Sequence, residues 1–208
     1  MDDKKYEEIL RKYLPESALI PVIQLIKQYK ISLKIVSERS SKLGDYRCPD
    51  RINGHRISIN GNINKYHFLL TFLHEVAHLL TWNKYGNRKL PHGKEWKKEF
   101  QLLVYDYLNA GTFATDLIPE LVHYMKNPSA TTSGKITLNR ALQKYDTDKV
   151  NGFFVDDIPM GNRFILNGRE FIKLSKIRTR YKCRAVNDGR IYLVHKAALV
   201  NRSENADD

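Results

Sequence analysis

Cysteine is scarce in this sequence: Cys48 and Cys183 are the two among 208 residues, far apart and in no CxxC pair. That excludes a disulfide framework and a thiolate zinc site, and both thiols are expected to be buried and inert. Long apolar runs are missing as well, since none approaches the roughly 20 residues that a membrane span needs, so no membrane partner is expected. The first residues, MDDKKYEEILRKYL, lack both the apolar core of a signal peptide and the Arg/Ser bias of a transit peptide. A cytoplasmic location is the expectation. Carboxylates are also in short supply, 23 Asp and Glu against 35 Lys and Arg, which leaves a formal net charge of +12.

That excess is local. Between Arg163 and Arg202 stand eleven Lys and Arg against Glu170 and Asp188, a net +9, so the basicity belongs to the C-terminal end. With 42% hydrophobic and 28% charged residues the composition is that of a soluble globular protein. The length suits one principal domain with an appendage.

The periodicity predicts two helices first, one carrying Ile9, Leu10, Tyr13 and Leu14 before Pro15, the next running from about Ile20 to Tyr29. Alternation then predicts strands over Ile31–Arg39 and His55–Asn60, with a third around Tyr46, making a small sheet. Asn60, Gly61, Asn62 and Asn64 break the strand and offer N-caps to a long helix of about Tyr66–Asn83. A loop through Asn87 and Pro91 leads to a helix from about Gly93 with Trp96, Phe100, Leu103 and Val104 on one face. A short helix fits Leu117–Met125. Asn127–Gly134, NPSATTSG, reads as a linker between a domain at 1–126 and a module at 135–208. In that module RFIL-NG-REFIKL and RYKCRAV-NDG-RIYLVHK each put a turn signal between strand-like runs, so a small antiparallel module of four or five strands is expected. The fold class is α+β.

The chemistry sits on the long helix, in FLLTFLHEVAHLLTW (68–82). Residues four apart stack on one helix face, so His74 and His78 can aim two imidazoles at one point while Glu75 lies beside them. In so apolar a setting two unpaired imidazoles and a carboxylate would each cost several kcal/mol, and one metal ion resolves that cost. This is the HExxH pattern, in which the histidines hold zinc and the glutamate acts as general base toward water. A catalytic zinc takes three protein ligands and keeps one position open. The third ligand must come from another element, and His92 is the candidate, fourteen residues past His78 in HGKEW, with Trp96 and Phe100 to anchor it. His67 shares the stripe but lies about 10 Å further along the axis, so it is expected outside the ligand set, as an exposed first-turn residue. For stabilising an oxyanion Tyr66, Tyr85 and Tyr124 are available, and nothing selects among them.

RISIN leading into the helix, HEVAH at 74–78 and HGKEW at 92–96 together resemble the SprT-like family of zinc metalloproteases, which includes the DNA-dependent Spartan proteases. The resemblance covers roughly residues 5–125. It implies a zincin-like domain with a small three-stranded sheet packed on helices. It also implies one Zn²⁺ held by His74, His78 and His92, Glu75 as general base, and a protein substrate. FIKLSKIRTRYKCRAVNDGRIYLVHKAALV resembles the tail of a bacterial subgroup. Many SprT proteins end instead in a four-cysteine zinc ribbon, which two cysteines cannot build, so a second zinc is not implied.

Alternation along a strand would put Arg178, Arg180, Lys182 and Arg184 on one face. Such a face suits a phosphate backbone, DNA or RNA, bound without sequence specificity. It also serves as a charge-guarded, solvated sheet face. The leading expectation is a zinc-dependent endopeptidase acting on nucleic-acid-associated proteins. Two other readings stand beside it: a nucleic-acid-binding or transcription-associated factor whose zinc is structural, and a zinc hydrolase of small molecules.

Overall fold

The computed structural model describes residues 3–39, 41–129, 136–146 and 152–203. The chain forms two compact units, one of residues 1–130 and 140–147, the other of 131–139 and 148–208. Much of the linker expected at 127–134 lies outside the described residues, namely 130–134.

In the first unit, α1 (Asp3–Arg11) and α2 (Glu16–Gln28) precede β1 (Ser32–Val36), β2 (Gly44–Arg47) and β3 (Arg56–Asn60). Ala18, Leu19, Val22 and Ile26 form the buried stripe of α2. The three strands make a mixed sheet in the order β1-β3-β2, with β3 parallel to β1 and antiparallel to β2. β2 is therefore an edge strand, and central β3 buries Ile57 and Ile59. Helix α3 (Lys65–Tyr85) starts where Asn64 Oδ1 accepts the His67 N–H at 2.9 Å, which satisfies one of the helix's orphan donors. It ends at Gly86, whose φ of 60° is the left-handed conformation that a helix stop favours. Buried residues run around much of α3, from Phe68 to Thr81, as befits a helix at the centre of a core.

Helix α4 (Lys94–Asn109) packs on α3 through Trp96, Phe100, Leu103 and Val104. A Lys84–Glu99 ion pair of 2.7 Å ties the two helices, with the glutamate almost wholly buried. Helix α5 is Ile118–Met125. Arg140–Gln143, the end of helix α6 (Ile136–Gln143), belongs to this unit with the residues up to 147. Asn64 Nδ2 reaches Leu142 O at 2.9 Å and Asp146 Oδ1 at 2.6 Å, so one asparagine both caps α3 and anchors this return. Helix α6 is an addition to the elements expected from the sequence.

The second unit holds a six-stranded antiparallel sheet rather than four or five strands. Its members are β4 (Phe153–Phe154), β5 (Arg163–Leu166), β6 (Arg169–Ile177), β7 (Arg180–Ala185), β8 (Ile191–His195) and β9 (Leu199–Arg202), in the order β4-β9-β5-β6-β7-β8. The additional pairing comes from β4, two residues long, against β9, and so short a run has no readable alternation. Asn167 and Gly168, at φ 51° and 74°, make the expected β5–β6 turn with both central residues left-handed. Phe164, Phe171, Tyr181, Cys183, Val194 and Val200 fill the core with Val155 and Ile158. Cys183 is buried as expected, whereas Cys48 is only half-buried. Among the described residues no helix is long and apolar enough to cross a membrane.

Lys173 on β6 is buried in this core, and its ammonium donates to Val155 O, Asp156 O and Ile158 O at 2.8, 3.3 and 2.5 Å while lying 3.8 Å from the Tyr181 ring centroid. Three carbonyls of one turn thus share a single donor. Lys173→Met keeps the stem but removes the ammonium from the Asp156 and Ile158 carbonyls, while Val155 O keeps the Ile158 N–H at 3.3 Å, so thermal unfolding should show a loss of about 2 kcal/mol. A change within error would show that the carbonyls find other donors.

Candidate metal centre

Helix α3 presents His74 and His78 one turn apart, and the tight segment before α4 returns His92 to meet them. His92 Nε2 lies 3.1 Å from His74 Nε2 and 3.0 Å from His78 Nε2. The backbone at His92 is left-handed, φ 60°, in the conformation that turns the ring inward. Such a conformation is uncommon for a residue with a Cβ and is tolerated where the surroundings over-determine it. Gly93 follows, its N–H bonded to Leu90 O at 3.0 Å, and serves as the N-cap of α4.

One side chain braces the trio. Trp96 is buried, with ring centroids 4.6 Å from His74, 5.3 Å from His78 and 4.6 Å from His92, and it stacks on Phe100 at 5.0 Å. Its indole N–H points to His74 O at 3.4 Å. The anchoring expected of Trp96 and Phe100 is thus direct.

The three nitrogens fit a metal better than they fit each other. An imidazole nitrogen carries either one proton or one lone pair in the ring plane, so His92 Nε2 cannot satisfy both neighbours by hydrogen bonding. Nitrogens about 2.0–2.1 Å from a tetrahedral centre stand roughly 3.3 Å apart, close to the separations seen here. These three side chains form the described group able to hold an ion. Protonation is also suppressed. Burial first, then the neighbouring imidazoles, takes His74 down to about 3; burial and His92 take His78 down to about 4; burial lowers His92. All three imidazoles are therefore neutral at physiological pH, the state in which they could hold an ion.

Glu75 is 6% exposed. Burial, and then the Asp45 carboxylate, push it up to about 8, against the Tyr46 backbone N–H that donates to it and the more distant Lys42 and Arg39. A carboxyl that exchanges its proton near neutrality suits proton transfer. Its cradle is β2: a Cβ built on Gly44 would come 2.5 Å from Glu75 Oε1 and 2.7 Å from Thr71 Cγ2. Tyr46 on the same strand lies parallel to His78, within 3° and 6.4 Å between centroids, and its hydroxyl hydrogen-bonds His55 Nδ1 at 2.9 Å. Sequence reasoning passed over Gly44, Tyr46 and His55, because strand pairing brings them here and no local motif marks them.

Other expectations change. His67 is not an exposed first-turn residue but half-buried, and burial lowers it to about 4; its backbone is the one Asn64 caps. The three tyrosines left open have other contacts. Tyr124 donates to Ser129 O, Tyr66 meets Tyr145 edge-on, and Tyr85 lies under Lys89. In the second unit, Arg180, Lys182 and Arg184 occupy the exposed positions of β7. Arg178 does not join them on the strand, because it forms the β6–β7 turn at φ 51°.

Fold and centre together define an α+β domain in which one helix and the turn before the next converge three imidazoles on a site able to take a metal ion. Residues 23–113 match the model of the SprT-like family. Proteins named Protein SprT from Salmonella arizonae, Salmonella newport and Salmonella heidelberg are each 71% identical to this chain over 24 residues, 12% of this chain. That match spans 14% of the length of each relative. No solved structure matches the chain.

Zn²⁺ or Co²⁺ bound to the folded state alone should raise the melting temperature, by about 2.7 kcal/mol of stability at a hundredfold excess over Kd. His92→Gly should abolish that gain without destabilising the metal-free protein, since glycine accepts the left-handed backbone. Metal-induced stabilisation that survives His92→Gly would remove His92 from the ligand set.

Proposed function

We propose that the first unit is a zinc-dependent endopeptidase. The observation that carries this reading is the convergence of His74, His78 and His92 beside the buried carboxyl of Glu75. Zinc, when bound, supplies Lewis acidity toward a peptide carbonyl and toward water. The imidazoles hold the ion as neutral ligands, and Trp96 keeps their rings in register. Glu75 would take the proton of the attacking water and pass it to the departing amine. A purely structural zinc would have no use for Glu75 and usually closes with a fourth protein ligand. Among the described residues the group has three members.

The substrate class follows from the second unit. Arg180, Lys182 and Arg184 are exposed in a row along β7, and no carboxylate pairs with them among the described residues. An unneutralised row of cations attracts a phosphate backbone without reading its sequence. DNA held there would bring bound proteins to the enzyme, and cleavage of nucleic-acid-associated proteins is the resulting activity. The compartment proposed is the cytoplasm.

Glu75→Gln should retain one zinc per chain while cleavage of casein or histone falls by about 10²- to 10⁴-fold. Zinc-loaded wild type that cleaves neither protein, with or without single-stranded DNA, would favour a nucleic-acid-binding factor with a structural ion. Replacing Arg180, Lys182 and Arg184 by alanine should weaken DNA binding and reduce its log–log salt slope by about 3. An unchanged slope would take β7 out of the interface.

A further inference from the structure

We infer that edge strand β2 belongs to the working site, with Gly44 and Tyr46 as positioning residues, the first for Glu75 and the second for both Glu75 and His78. This rests on the endopeptidase reading and goes beyond it, since neither residue lies on the metal-bearing helix or in its motif.

Gly44 is not glycine for the sake of its backbone angles, because its φ is not among the positive values that favour glycine. The reason is space. Any larger residue would put a Cβ 2.5 Å from Glu75 Oε1 and 2.9 Å from Glu75 Cγ, with Thr71 Cγ2 at 2.7 Å. The carboxylate can therefore rest against the strand only because position 44 has no side chain. Two residues on, the Tyr46 N–H donates to that carboxylate. β2 accordingly supplies both the room and a directing hydrogen bond.

The Tyr46 ring does the corresponding work for His78. It lies parallel to the imidazole at 6.4 Å between centroids, and its own plane is tied by the 2.9 Å hydrogen bond to His55. His55 in turn meets Trp82 of α3 edge-on at 5.5 Å and 83°. Strand and helix are thus joined in a short chain, from His78 through Tyr46 and His55 back to Trp82 one turn along α3. That chain braces the plane of His78 through Tyr46, which strand pairing brings beside it.

The test measures zinc dissociation constants by chelator competition, together with kcat and KM, for wild type, Gly44→Ala, Tyr46→Phe and Tyr46→Leu. Gly44→Ala should keep wild-type zinc affinity and KM while kcat drops about 100-fold, the effect of a base displaced by about an ångström. Should that variant fold poorly, Gly44→Ala with Thr71→Ser relieves the clash with the methyl and keeps the one with the carboxylate; Thr71→Ser alone is the control. Tyr46→Leu should weaken zinc binding about tenfold, as loss of an outer-shell partner does. Tyr46→Phe should fall between wild type and leucine, since it keeps the ring and loses His55. Gly44→Ala turning over at the wild-type kcat, or Tyr46→Leu holding zinc as tightly as wild type, would overturn the inference. A wild type that binds zinc and cleaves nothing would instead defeat the endopeptidase reading, while the zinc competition with Tyr46→Leu still decides the role of that residue.

Discussion

His92 Nε2, held about 3 Å from the Nε2 atoms of both His74 and His78, cannot satisfy the two by hydrogen bonding, and the surrounding structure is organised to keep the three rings there. Two stand on one face of a buried helix, where their spacing follows from the 3.6-residue turn. The third arrives from outside at a left-handed backbone position that only close packing stabilises. Trp96 resolves the problem for all three at once, since its rings reach each histidine from the first turn of α4. Burial then disfavours protonation of the imidazoles, so the same packing that positions them leaves them able to hold an ion.

The carboxylate faces the opposite demand. Burial raises Glu75 while the N–H of Tyr46 opposes that rise, and the balance leaves a group able to accept and return a proton. The surroundings that produce this balance are not helical. They come from β2, which can approach α3 closely because Gly44 carries no side chain. β2 in turn is placed by central β3, whose Ile57 and Ile59 are locked in the core. The site is therefore assembled between a helix and a sheet edge, with chemistry on the helix and its adjustment on the strand.

The second unit solves a different problem by the same economy of contacts. One face of its sheet closes over an aromatic and aliphatic core, and one buried ammonium, Lys173, donates to three carbonyls of a single turn. The strict alternation along β7 sends Tyr181, Cys183 and Ala185 inward and Arg180, Lys182 and Arg184 outward. A continuous cationic row is thus a by-product of strand geometry once those residue types alternate.

Local periodicity made much of this legible. The helix bearing His74, Glu75 and His78, the Asn64 cap, the helix after Gly93 and the Asn-Gly hairpin all depend on contacts within a few residues, which the sequence states directly. His92 was legible because its glycine and the following tryptophan mark a turn feeding a packed helix. Helix α6, the pairing of β4 with β9, and the half-buried state of His67 were not, because each depends on partners far along the chain. Arg178 left its expected face because a turn, not the strand, took that position. By itself the sequence determined which residues could bind a metal and on which elements they ride, since side-chain chemistry and helical period are local. Only the tertiary structure decided that a glycine and a tyrosine of an edge strand would close on them, since strand pairing joins residues that no spacing relates.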